Sequence, residues 1–260
     1  MQYRIINDFF LGKFRKSTLL LVLAPLLFVS YFAVLVVAVW LFPSKYEWYH
    51  KSISKLLYPA NNPTFYAIPS SGLTISGFLI FPFAAYISRG LRAEWRLCAE
   101  VGFGAFATGA ISLVLASVVV WPLPFGSVIL LRLHETFARI CALALGVGML
   151  AFYACAVRAN LSPRRRRLLV ASWSIVTVPG IVAVALRLLV AAKLECLNRL
   201  CIWLKNPQLW QLGFWEWAGS VGVFIFLLSG IILLPESPES RRPLKDRCVV
   251  ESDHRERQTC

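Results

Sequence analysis

The sequence predicts an all-α integral membrane bundle of six transmembrane helices, with both termini cytoplasmic and an elaborate first outer loop. Three observations carry that prediction. First, 58% of the 260 residues are hydrophobic, only 15% are charged and the mean hydropathy is +0.66, a composition outside the soluble globular range. Second, six apolar runs recur, each close to the roughly 20 residues that a helix needs to cross hydrocarbon. Third, lysine and arginine alternate in density between successive connections. One side carries 18 of them and the other 7, and the richer side is expected to face the cytoplasm. The net charge of +14 therefore reads as topology information. It does not read as a nucleic-acid footprint, because no basic domain or base-stacking motif accompanies it.

The domain plan follows from these runs. Residues 1–18 form a cytoplasmic N-terminus with Arg4, Lys13, Arg15 and Lys16. Residues 19–234 form the membrane domain, with spans at about 19–42, 70–88, 97–121, 134–157, 168–192 and 214–234. The first span is too long for a signal peptide and lacks a small-residue cleavage site, so it is expected to stay uncleaved. Between Pro43 and Pro69, Tyr46 to Leu57 mixes aromatic residues, aliphatic residues and lysines in a pattern suited to an interfacial helix. Pro59, Asn61, Asn62 and Pro63 then break it. This loop reads either as a surface connection anchored by Trp48 and Tyr49 or as a lid over the outer end of the bundle.

Gly102, Gly104 and Gly109 in the third span predict close packing by neighbours. Arg164, Arg165, Arg166 and Arg167 form the densest basic cluster and read as a stop signal at a cytoplasmic boundary. Pro179-Gly180 predicts a kink in the fifth span. Residues 235–260 are charged and contain proline, which predicts a disordered cytoplasmic tail. Of the seven cysteines, Cys98, Cys141 and Cys155 are expected to be small buried hydrophobes. Cys196 and Cys201, in the last outer connection, could form a disulfide if a turn brings them together.

The candidate site lies where ionisable residues enter the membrane, since such groups face a partner or a cavity more often than lipid. His134, Glu135 and Arg139 open the fourth span, Arg187 closes the fifth and Glu216 opens the sixth. All of them, with His50, Ser52 and Ser54 in the first loop, belong to the outer side of the predicted topology. Glu135 and Arg139 stand four apart and can pair on one helix face. Glu135 and Glu216 together offer two acids to compensate Arg139 and Arg187. Histidine is the side chain suited to proton transfer near neutral pH, which singles out His134. A metal held by His50, His134 and one carboxylate lacks any HExxH-like spacing. A nucleophile at Ser52 or Ser54 lacks a GxSxG elbow. No cofactor motif is present, and whether any reaction is catalysed stays open.

Three short patterns, His50-Lys51-Ser52-Ile53-Ser54, His134-Glu135-Thr136-Phe137 and Phe214-Trp215-Glu216-Trp217, resemble those of a known six-span family. That family includes the damage-regulated autophagy modulators and the Golgi protein of GPI-anchor lipid remodelling. Glu100 has a counterpart in some members, and bacterial six-span proteins of undefined function share the layout. The resemblance implies six spans, membrane lipids as partners and a lipid-related role.

The functional expectation is thus a lipid-binding or lipid-handling membrane protein with a polar site at the level of the outer leaflet. A non-catalytic scaffold or regulator is the alternative, as is a small-solute transporter, although no ionisable residue falls near the midplane where transport sites form. A homo-oligomer stays open as an expectation, and protein partners cannot be read from the residues. The preference for arginine over lysine and the lack of a C-terminal retention signal point toward a bacterial plasma membrane. An endomembrane is the alternative in a eukaryote.

Overall fold

The computed structural model describes residues 8–120, 127–191 and 212–235, and among these the chain is helical with no strand. Five helices are long and apolar enough to cross a membrane: Lys16–Trp40, here α1, Ala67–Leu91 (α3), Arg96–Val119 (α4), Val128–Arg158 and Gly213–Leu233. The last two lie within Ser127–Arg158 (α5) and Leu212–Leu233 (α7). A four-residue helix, Ser54–Leu57 (α2), sits in the first loop. Pro163–Ala191 (α6) is 29 residues long and opens on the four arginines.

The observed helices all start before the corresponding apolar runs, because helical hydrogen bonding takes in the preceding residues. The largest difference is in α5, which begins at Ser127. His134 therefore lies about two turns inside its helix instead of opening it. A second difference concerns the first loop, where turns and the short α2 replace the expected interfacial helix. The Tyr46 hydroxyl is the cause: it is shared between the carbonyls of Lys51 (2.9 Å) and Ser52 (3.0 Å), holding the chain in a compact bend. The proline at 179 lies within a helix that runs on to Ala191.

Helix α3 is the most enclosed, with 17 of its 25 residues buried. Around it the helices meet through glycines. A Cβ on Gly102 would come within 2.6 Å of the Phe152 ring, and one on Gly148 within 2.5 Å of the Phe106 ring. Helices α4 and α5 thus hold each other by two reciprocal phenylalanine-into-glycine contacts, which let the backbones approach closely. Gly109 receives Leu145 in the same interface, whereas Gly104 faces open space. The aromatic packing continues outward. Phe106 stacks on Phe152 (5.4 Å) and on Phe226 (6.0 Å), and Phe226 stacks on Trp173 at 4.1 Å between centroids. The Trp173 indole N–H donates to the Phe226 carbonyl at 3.0 Å, so α6 and α7 are joined by a hydrogen bond as well as a stack.

Helix α1 departs from regular geometry in two five-residue π turns, Leu19–Leu23 and Val29–Ala33, which flank Pro25. Proline cannot donate to the carbonyl four residues earlier and its ring crowds that carbonyl; a wider turn relieves the crowding. At its start, Lys16 reaches the end of α7, where its ammonium donates to the carbonyls of Ile232 and Leu234. A cation there satisfies carbonyls that have no partner within the helix and complements the negative end of its dipole.

The glycine contacts give a direct test. Gly148→Ala should destabilise the protein by about 1–3 kcal/mol, because the phenylalanine it meets is itself packed on both sides. Gly104→Ala should stay within about 0.5 kcal/mol of the parent. Thermal unfolding of the two variants in one detergent measures the difference.

Candidate functional site

One end of the bundle is closed by the first loop docking on the start of α7. Ile53, Leu56 and Leu57 of the loop are buried against Leu35 and Ala38 of α1, Leu73 of α3 and Val120 just after α4. Gly213 lets the loop backbone descend onto α7, since a Cβ there would meet the Lys51 carbonyl oxygen at 2.6 Å and that of Trp48 at 2.9 Å. Asn62, fully buried, donates to the Leu56 carbonyl at 3.0 Å and accepts the Phe65 N–H at 3.3 Å, which closes the loop's second half.

Glu216 anchors this arrangement. One turn into α7 and half-buried, its carboxylate accepts the backbone N–H of Ile53 at 2.5 Å, with the Ser54 N–H also directed to it. A charged acceptor at the entry to α2 satisfies amides that the short helix leaves open. The expected compensation of Arg187 falls on a side chain outside the described residues; Glu216 thus serves as a loop anchor. Its own backbone carbonyl accepts the Ser220 hydroxyl at 2.7 Å, and Ser220 in turn bonds to the Tyr31 hydroxyl of α1. The Tyr46 hydroxyl sits beside the Trp217 indole, and burial pushes its phenol up to about 12.

His134 stands apart from this network. It is buried, with 5% of its surface exposed, and its Nδ1 lies 2.9 Å from the Ala116 carbonyl of α4. Its Nε2 is buried and has no hydrogen-bond partner among the described residues. Among the described residues no hydrogen bond or ion pair joins His134 to Glu216. Cys141, two turns further along α5 from His134, is buried as well.

The remaining predicted residues separate. Glu135 and Arg139 form the expected pair, Oε2 to Nη2 3.4 Å, but both side chains are exposed on the outer surface of α5. A pair so placed contributes little to stability. His50 is exposed on the loop with its ring against Tyr49 at 4.2 Å. Ser52 and Ser54 are half-buried, and their backbones carry the contacts to Tyr46 and Glu216. The Arg187 side chain, the Cys196–Cys201 question and residues 236–260 lie outside the described residues. Arg164 to Arg167 are exposed in the first turns of α6, the positive end of its dipole. No group of three His, Cys, Asp or Glu side chains that could hold a metal forms among the described residues, so His50, His134 and a carboxylate are not gathered into one.

Sequence reasoning missed Tyr31, Tyr46, Asn62 and Ser220. The available signal was two phenols, an amide and a hydroxyl inside or beside otherwise apolar runs, which in an apolar setting need partners. The chain matches no protein-family model, no curated protein and no solved structure. The chain is helical among its described residues, and its long apolar helices are compatible with a membrane protein.

Two outcomes follow from the loop. Glu216→Ala should raise hydrogen exchange at the Ile53 and Ser54 amides by roughly tenfold or more, as expected for loss of a charged acceptor. For Tyr46, the folded phenol holds its proton to about pH 12 while an unfolded one releases it near 10.0. Its contribution to stability is therefore present below pH 10.0 and lost as the pH rises toward 12. Alkaline unfolding followed by circular dichroism should show a shallower loss over that window in Tyr46→Phe.

Proposed function

We propose that the chain is a six-span membrane protein with cytoplasmic termini that binds a membrane lipid at its outer end, beneath the first loop. The observation that carries the reading is the buried, unpartnered Nε2 of His134. Leaving such an atom unsatisfied costs about 1–3 kcal/mol, whereas Ser70, Ser117, Ser220 and Glu216 all have partners in the outer half. A lipid headgroup offers acceptors and donors at this depth, and the docked loop supplies a cover. The topology is supported by the 18-to-7 division of lysine and arginine. It is supported too by the contact of Lys16 with the end of α7, which calls for an even number of crossings between them. The resemblance to the lipid-remodelling six-span family points the same way.

A second reading, a non-catalytic scaffold, is favoured by one observation: Glu216 is taken up in holding the loop. The two readings part in native mass spectrometry of the detergent-purified protein with lipid extraction. Wild type should retain a defined lipid that His134→Ala loses, with thermal unfolding little changed. Equal retention in both, or none in either, would leave the scaffold.

A further inference from the structure

We propose that the groove between α1 and α7 holds one acyl chain of an anionic glycerophospholipid, from the leaflet on the side where Lys13, Arg15 and Lys16 lie. This site is at the opposite end of the bundle from His134 and does not rest on the outer-end reading. The groove has a volume of about 370 Å³ and is lined by Leu20, Pro25 and Phe28 of α1 and by Phe224, Leu228 and Ile232 of α7. Every one of these side chains is apolar, so the occupant is a hydrocarbon chain.

Its length identifies which kind. From Leu20 to Val29, both lining residues, the groove runs about 14 Å along α1 at 1.5 Å per residue. That is roughly half of a 30 Å hydrocarbon core, the depth of one leaflet. Its deep end is closed by a cluster of Phe28, Phe32 and Phe224, with centroids 5.3–5.7 Å apart. A transmembrane helix from a second chain would continue past this stop; an acyl chain ends there. The stretch of α1 over the groove contains Pro25 and parts of both π turns, irregular backbone of a kind often found at functional positions.

The shallow end supplies the charge. Ile232 lines the groove while its carbonyl accepts the Lys16 ammonium, so the apolar channel opens beside a fixed cation. Arg15, one residue earlier, is exposed, Lys13 is half-exposed, and Asp8 is the single acid among residues 8–46. Lysine and arginine at this level attract anionic headgroups, by about 1 kcal/mol each near the surface. The occupant therefore carries its chain in the groove and a net negative headgroup above Arg15.

The experiment is native mass spectrometry of the full chain from mixed phosphatidylglycerol and phosphatidylcholine micelles. Wild type should retain one phosphatidylglycerol in preference to phosphatidylcholine. Val29→Trp with Ile232→Trp, two rim positions about half exposed, should fill the groove and cut retention about tenfold, a loss of a few buried methylenes. Arg15→Gln should weaken retention about fivefold and narrow the preference for the anionic lipid; it tests the site even if the double variant fails to fold. Ile175→Trp, exposed elsewhere on α6, should change nothing, and His134→Ala should leave this lipid in place. Equal retention of both lipids, retention unaffected by the rim variants, or a dimer that the rim variants dissociate would each overturn the proposal.

Discussion

The reciprocal contact between α4 and α5 is the constraint on which the rest of the structure depends. In hydrocarbon there is little hydrophobic gain from helix association, so shape must supply it. Two phenylalanines set into two glycines supply shape in both directions at once, and they fix the rotation of each helix about its axis. With Phe106 and Phe152 so placed, a flat aromatic surface faces inward for Phe226, and Phe226 in turn receives Trp173. The orientation of α7 follows from that stack. It is this orientation that turns Glu216 and Gly213 toward the first loop. The anchored first loop is thus a distant result of packing deeper in the bundle.

The helical membrane class was legible because it rests on the coarsest signals, apolar runs and their boundaries. The close packing at Gly102 and Gly109 was legible as well, since small residues in a long apolar segment have few other uses. Gly104 carries the same sequence signal yet meets nothing among the described residues; a glycine two residues from one at the contact cannot be told from it without the partner helix. The pairing of Glu135 with Arg139 was set by helical spacing and appeared as expected. What spacing could not say is which way that pair points. The helix starts about two turns earlier than its apolar core suggests, and His134 turns inward where its neighbours Glu135 and Arg139 turn out.

The first loop shows a different limit. Its alternation of aromatic and basic residues fits an amphipathic helix, and the periodicity is real. One phenol, Tyr46, reaching two carbonyls overrides it, and such a tertiary hydrogen bond leaves no periodic trace in sequence. Glu216 was found as a polar residue out of place, but the partner seen among the described residues, a backbone amide, was not the kind the sequence suggested. Backbone partners are invisible to any search for complementary side chains.

The clasp formed by Lys16 on the last carbonyls of α7 has a consequence for how the protein is made. These two groups are more than two hundred residues apart in the chain, so α1 is fastened by a helix made long after it. Until α7 is in place, α1 is held by its contacts with α3 and by the Arg89 bond to the Gly12 carbonyl. Assembly around α1 is therefore completed only when α7 arrives, and a chain that stalls before α7 is synthesised leaves α1 unclasped.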